Sequence, residues 1–275
     1  MARRCQALLG TYVEVAIPDE YSDQYISEVI NQAFKEIQLV EQLMSFHQPN
    51  SDLSRINRQA YEMDVRIHPY TYEVLVMAKQ LFEDTEGAFD CSVAPELQKW
   101  GLLPETYQID EVERGTLRDL DFKTNYAVSF RKPLCLDLGG IAKGYAVDKA
   151  VQVLINYGIT HAVVNAGGDM RILGNQAEDI YIKHPLRPHQ LIHIGQLSDG
   201  SIATSGIYYS KDKSIHKKQS ALVVPIRKQS MLTNQSYSVM AKRCVVADGL
   251  TKALAIHQDI NAMYLKKYEA VGVIL

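Results

Sequence analysis

Several absences bound what this chain can be. There is no apolar run of roughly eighteen residues or more, so no membrane-spanning helix and no membrane insertion are expected. Long basic runs are missing too. With 29 Lys and Arg against 32 Asp and Glu the net charge is −3, which makes nucleic acid a poor partner. Cysteine is sparse: Cys5, Cys91, Cys135 and Cys244 form no CxxC pair and no metal-finger spacing. They read as small buried hydrophobes in a reducing compartment. Internal repeats and low-complexity segments are absent. The start, Met1–Cys5, is basic, but only Ala7, Leu8 and Leu9 follow Gln6 before Gly10. That is too short for a secretory apolar segment or a lipid-attachment cysteine, so a cytoplasmic protein is expected.

What is present suffices for a sizeable core. Of 275 residues 47% are apolar and 22% charged, enough for one large domain or two intimately packed lobes. Alternation at Val13, Val15 and Ile17 predicts a strand over 8–17. Ser22 is placed to cap a helix over 23–44, whose apolar positions recur at helical spacing. The polar stretch 45–57 reads as a loop. A second helix is expected from Pro69 to about Glu86, with Gly87 as its stop. Residues 101–125, rich in charge and turn residues, read as a surface excursion. A short apolar strand over 134–138 meets Gly139-Gly140, and a helix follows to about Asn156, ended by Gly158. Strands are expected near 161–165, 170–173, 181–183, 192–196 and 201–204, with a last helix over 245–257. The elements do not alternate strictly as βαβ, so the fold class is α+β.

Four segments can carry chemistry. In Asp137–Gly144 an apolar strand, two glycines and a helix with an early Lys143 would put backbone N–H groups, a positive dipole end and a mobile cation together. That combination suits a phosphate or pyrophosphate, with Asp137 beside it; the alternative is a plain strand–helix turn. The pattern is neither the Rossmann fingerprint nor a P-loop. Asn165–Asp169 reads as a tight turn or bulge, and Ala203–Gly206 as a hydroxyl-bearing turn with phosphate contact as the alternative. On a helix, Asp248, Thr251 and Lys252 share one face. A carboxylate with a nearby hydroxyl can hold Mg²⁺; the alternative is an Asp248–Lys252 surface pair. Among the eight histidines spacing selects none, although His216 lies in a polar stretch, 210–220, suited to a site loop.

In this order the segments resemble the ApbE-type flavin transferases, the FAD:protein FMN transferases. The likeness runs from Leu9 to about Leu254. It is carried by Gly10-Thr11, by 43–57 with its Ser45 and Asp52–Asn57, by Gly87–Asp90 with Trp100-Gly101, and above all by Asp137–Tyr145 (DLGGIAKGY). Asn165–Asp169, Ala203–Gly206 and Ala247–Leu254 complete it.

The resemblance implies one ApbE-like domain over 1–275, T-fold-like, with mixed sheets, packed helices and two closely associated lobes. It implies transfer of FMN from FAD to a Ser or Thr of an acceptor protein, with Mg²⁺ as cofactor and AMP as leaving group. The alternatives are an FAD-binding protein without transfer, or a pyrophosphatase giving FMN and AMP. The residues it would bring to FAD are Leu9, His47, Ala88, Phe89, Asp90, Asp137, Gly139, Gly140, Lys143, Asp169, Thr204 and Ser205. The Gly140 carbonyl, Asp248 and Thr251 would reach the metal. Lys143 and His216 would be the catalytic pair, with His216 nearest to the family's base. This sequence departs from the pattern at Leu9, at His47, in the segment around His216, and at Lys252, where a threonine ligand is usual.

Overall fold

The structure, a computed structural model, describes residues 2–18, 20–109, 113–206 and 220–275. The chain divides into two compact units, one of Met1–Glu41, Ile141–Tyr208 and Asn234–Leu275, the other of Gln42–Gly140 and Tyr209–Thr233. No helix among the described residues is long and apolar enough to cross a membrane.

The first unit is built on a seven-stranded sheet with every neighbouring pair antiparallel. Its order is Ala2–Leu8, Thr11–Ile17, Ala162–Ala166, Asp169–Leu173, Gly200–Gly206, Ser236–Ala241 and Val271–Ile274. Period-two burial of Val13, Val15 and Ile17 fixes one face of its second strand. The single strand expected over 8–17 is a hairpin instead. Leu8 pairs with Thr11 across a two-residue turn, Leu9-Gly10, with φ of +55° and +69°, as a primed turn requires. The N-terminal segment, too polar to read as a strand, pairs as the edge, and Cys5 on it is exposed while Cys91, Cys135 and Cys244 are buried.

The helix Asp23–Met44 forms where its spacing predicts and buries Ile26, Val29, Ile30, Ala33, Ile37 and Val40. Two more helices, Ala142–Asn156 and Cys244–His257, pack on each other and on the sheet. They come close at Gly144, where an added Cβ would collide with the Cys244 carbonyl and stand 2.8 Å from the Asp248 Cβ. The second of these helices has no cap from its own N-cap residue, Arg243. The Asp148 carboxylate of the first helix supplies one, accepting from the Cys244 N–H at 2.9 Å and the Val245 N–H at 3.0 Å. A hairpin, Glu178–His184 with Arg187–Leu197, packs Ile180 and Ile182 against Ile172 and Ile202.

The second unit holds the helices Asp52–Gln59, Pro69–Asp84 and Ala94–Lys99 and a small antiparallel sheet ordered Val65–Arg66, Ala127–Phe130, Leu120–Lys123. Three expectations change here. The loop over 45–57 becomes helical from Asp52, because Ser51 caps it by accepting from the Ser54 N–H at 3.0 Å. The excursion over 101–125 carries a strand and contributes Leu117 and Leu120 to the core, both fully buried. The segment 134–138, where a strand was expected, pairs with no strand among the described residues. Its polar backbone is satisfied differently: Leu136 N–H donates to Asn57 Oδ1 at 2.8 Å, Asn57 Nδ2 donates to the Leu136 carbonyl at 2.9 Å, and Asp137 N–H donates to the Cys91 carbonyl at 2.8 Å.

Candidate functional site

In the first unit the strongest chemistry gathers at the N-terminus of the helix Ala142–Asn156. Lys143 stands in its first turn, and its ammonium pairs with the buried Asp169 and lies 3.7 Å from Asp248 Oδ2. Asp169 is delivered by a hairpin turn. Ala166 pairs with Asp169 across Gly167-Gly168, both at positive φ, and Asn165 Oδ1 accepts the Gly168 N–H at 2.8 Å. The tight-turn reading of that segment therefore holds, and the turn places a carboxylate on Lys143.

Asp248 is fully buried at the first turns of the helix Cys244–His257. Its Oδ2 accepts the Gly144 N–H at 3.0 Å, so one amide of the Lys143 helix terminus goes to a protein carboxylate. Its Oδ1 is ion-paired to Lys252, whose ammonium also donates to the Asp248 main-chain carbonyl at 2.9 Å. Thr251 Oγ1 donates to that same carbonyl at 2.7 Å and is hydrogen-bonded to Ser205 Oγ at 2.7 Å. The Asp248–Lys252 pair is thus no surface pair: the carboxylate is buried and the lysine side chain only 23% exposed. Thr204 faces elsewhere, its hydroxyl 2.8 Å from Ser238 Oγ on the paired strand.

The charges here shift one another in opposite senses. Burial is the largest influence on Asp248 and pushes its carboxyl up. The Lys143 and Lys252 ammoniums and the Gly144 amide outweigh it and hold the group below the usual carboxylate range. Asp169 moves up, because burial and the neighbouring Asp248 charge outweigh the two lysines. Burial would lower Lys143, but Asp248 and Asp169 hold it protonated above the ordinary lysine range. The array therefore keeps the Lys143 ammonium and the Asp248 carboxylate charged at neutral pH. Leu9, also in this unit, lends its N–H to Glu41 Oε1 at 2.8 Å.

The second unit holds the remaining expected residues. Ala88 and Phe89 are buried, and their N–H groups donate to the Thr85 carbonyl and hydroxyl, each at 3.0 Å. Asp90 accepts from both the Ser92 N–H at 2.7 Å and the Ser92 hydroxyl at 2.8 Å. Desolvation nevertheless lifts its carboxyl to about 6. A buried, two-pronged ion pair between Arg114 and Glu96, at 2.5 and 2.8 Å, anchors this region, with Arg114 also donating to the Ser92 carbonyl. Sequence reading missed that pair, since charges eighteen positions apart leave no periodic signal. The Asn57 clamp on Leu136 was missed for the same reason. Asp137 and Gly140 are half-buried and Gly139 is exposed, so this turn is not sealed. His47 is exposed. His216 lies outside the described residues.

Fold and site together define an α+β protein whose antiparallel sheet carries, at one helix N-terminus, a buried array of two carboxylates and two ammonium groups. The ApbE family model matches residues 9–275, and the chain belongs to the ApbE family. An FAD:protein FMN transferase of Vibrio cholerae is 28% identical over 251 residues, covering 86% of this chain and 75% of that one. One of Treponema pallidum is 24% identical over 297 residues, covering 98% and 82%. Among solved structures, the flavin transferase ApbE from Vibrio cholerae superposes with a TM-score of 0.80 at 23% identity, covering 99% of this chain and 92% of that one. The ApbE protein from Thermotoga maritima gives 0.79 at 23% identity, covering 97% and 89%.

Proposed function

We propose that this protein transfers FMN from FAD to a Ser or Thr hydroxyl of an acceptor protein, releasing AMP. The observation that carries the reading is Lys143, fixed between Asp169 and Asp248 at a helix N-terminus, in a chain of the ApbE family. A fixed ammonium beside a helix terminus suits the charge of a diphosphate bridge and stabilises the charge that builds there during phosphoryl transfer. In the reaction the acceptor oxygen bonds to the FMN-side phosphorus, the bridging bond to the AMP phosphate breaks, and a base takes the hydroxyl proton. The resemblance gives that base as His216. By the same resemblance Ala88, Phe89, Asp90 and Asp137 would meet FAD.

The resemblance also adds Mg²⁺ on the Gly140 carbonyl, Asp248 and Thr251. As they stand, the donors on the helix Cys244–His257 do not fit a divalent ion. Asp248 Oδ1 and its carbonyl are held by the Lys252 ammonium, and the Thr251 hydroxyl is committed to the same carbonyl. No step is therefore routed through a metal.

Incubation with FAD and a flavin-accepting domain should give covalent FMN, seen as acid-stable in-gel fluorescence and as a mass increase of the acceptor. The Lys143→Met variant should lose the product. The Lys252 substitution favours a second reading, FAD binding without transfer. Tight FAD binding with no modified acceptor and no AMP would select it. AMP and FMN released without any acceptor would select simple hydrolysis.

A further inference from the structure

We propose that the Lys252 ammonium is this chain's resident cation at Asp248, and that the protein binds the diphosphate of its dinucleotide without a divalent ion. This rests on the reading of the site as one for FAD. The geometry is that of a clamp. Lys252 follows Asp248 by one helical turn, and its side chain folds back so that the ammonium engages both Oδ1 and the main-chain carbonyl of Asp248. An ammonium has three N–H donors. Two go to Asp248, which leaves the group able to donate to a phosphate oxygen as well.

Mg²⁺ is poorly served in the same place. It demands near-octahedral oxygen ligands at about 2.0–2.1 Å and gives up water reluctantly. Here the Asp248 carboxylate faces two ammoniums, Lys252 on Oδ1 and Lys143 at 3.7 Å from Oδ2, while Gly144 N–H takes a further lone pair of Oδ2. Thr251 Oγ1 points its proton at the Asp248 carbonyl and is bonded to Ser205 Oγ. A divalent ion would have to displace a buried ion pair and rotate a hydroxyl. A tethered monovalent charge achieves the neutralisation with neither change, and its local concentration does not depend on the surrounding metal.

The test uses the whole chain stripped with EDTA, with FAD affinity read from quenching of flavin fluorescence. The wild-type affinity should change less than about twofold when millimolar Mg²⁺ replaces EDTA. Lys252→Met and Lys252→Thr should each bind FAD about tenfold more weakly in EDTA, and Mg²⁺ should restore only Lys252→Thr. A gain of about tenfold or more for the wild type on adding Mg²⁺ overturns the proposal. So does wild-type affinity of both variants in EDTA. The wild-type arm needs no variant to fold. Should FAD fail to bind under any condition, the flavin reading falls, and Mn²⁺ titration followed by the resonance of the free ion decides the cation question alone. Wild-type protein that takes up no Mn²⁺ supports the proposal, and uptake that Asp248→Asn abolishes overturns it.

Discussion

Lys143 is where charge and stability are most tightly joined. Its ammonium neutralises two buried carboxylates, and because it is held above the ordinary lysine range, it stays protonated up to about pH 10, so that the contribution is present from neutral pH to that point and declines in acid as the carboxylates take up protons. Lys143→Met leaves Asp169 and Asp248 with Lys252 alone. The expected loss is about 2–4 kcal/mol in urea denaturation at neutral pH, at the lower end because Asp169, already raised, can take up a proton. A midpoint equal to that of the wild type would show that the pairing contributes nothing. Asp90 points the other way. Desolvation raises its carboxyl to about 6 against the Ser92 hydrogen bonds, so the folded state holds a proton more readily than the unfolded chain. Stability from this group is present at low pH and falls as pH rises from about 4 to about 6. Asp90→Asn should therefore be more stable than the wild type by roughly 1–2 kcal/mol at pH 7.5, with the difference closing near pH 4. Thermal melts at the two pH values check it, and a difference independent of pH would refute it. Sequence reading named Lys143, Asp169, Asp248 and Asp90 because each sits in a recognisable segment. Helical spacing put Lys252 beside Asp248, but nothing local could add Lys143, since that depends on which helix packs on which.

At the scale of elements, the decisive contact is the crossing of the helices Ala142–Asn156 and Cys244–His257 at Gly144. With no side chain there, the backbones approach closely enough for Asp248 to reach the Gly144 N–H. Gly144→Ala must push the helices apart and break that bond. A loss of roughly 2–3 kcal/mol or more is expected, whereas Gly158→Ala, with open space but φ of +74°, should cost only about 1 kcal/mol. If chemical denaturation ranks the two the other way, the close crossing is not what Gly144 provides. The helix Asp23–Met44 was legible because a periodic apolar stripe and a cap at Ser22 agree locally. The segment 134–138 was not. Its apolar run reads as a strand, yet no neighbouring strand pairs with it, and the Asn57 side chain and the Cys91 carbonyl take that part. Helix Asp52–Gln59 was masked by polar composition, although Ser51 and Asp52 carry the start signal.

For the molecule as a whole, ligand linkage gives the most direct check, because anything that binds only the folded state raises its melting temperature. The unit carrying Lys143, Asp169 and Asp248 sets an ammonium at a helix N-terminus, an arrangement suited to a diphosphate, and FMN and AMP each bring a single phosphate of that bridge. FAD at about a hundred times its dissociation constant adds roughly 2.7 kcal/mol to stability, which for a chain of this size is a rise of about 5–10 °C. FMN and AMP at the same concentration should raise the melting temperature by clearly less, because neither spans the bridge that Lys143 and the helix terminus are placed to meet. The ranking carries more than the size of the shift. Equal shifts from FMN and FAD would mean that the isoalloxazine ring is held and the diphosphate ignored, and the charged array would then be a structural feature of the two packed helices. Shifts from AMP equal to those from FAD would mean a nucleotide site without flavin selectivity. Only FAD standing above both, with the excess lost in Lys143→Met, ties the dinucleotide to the ammonium that the DLGGIAKGY turn presents.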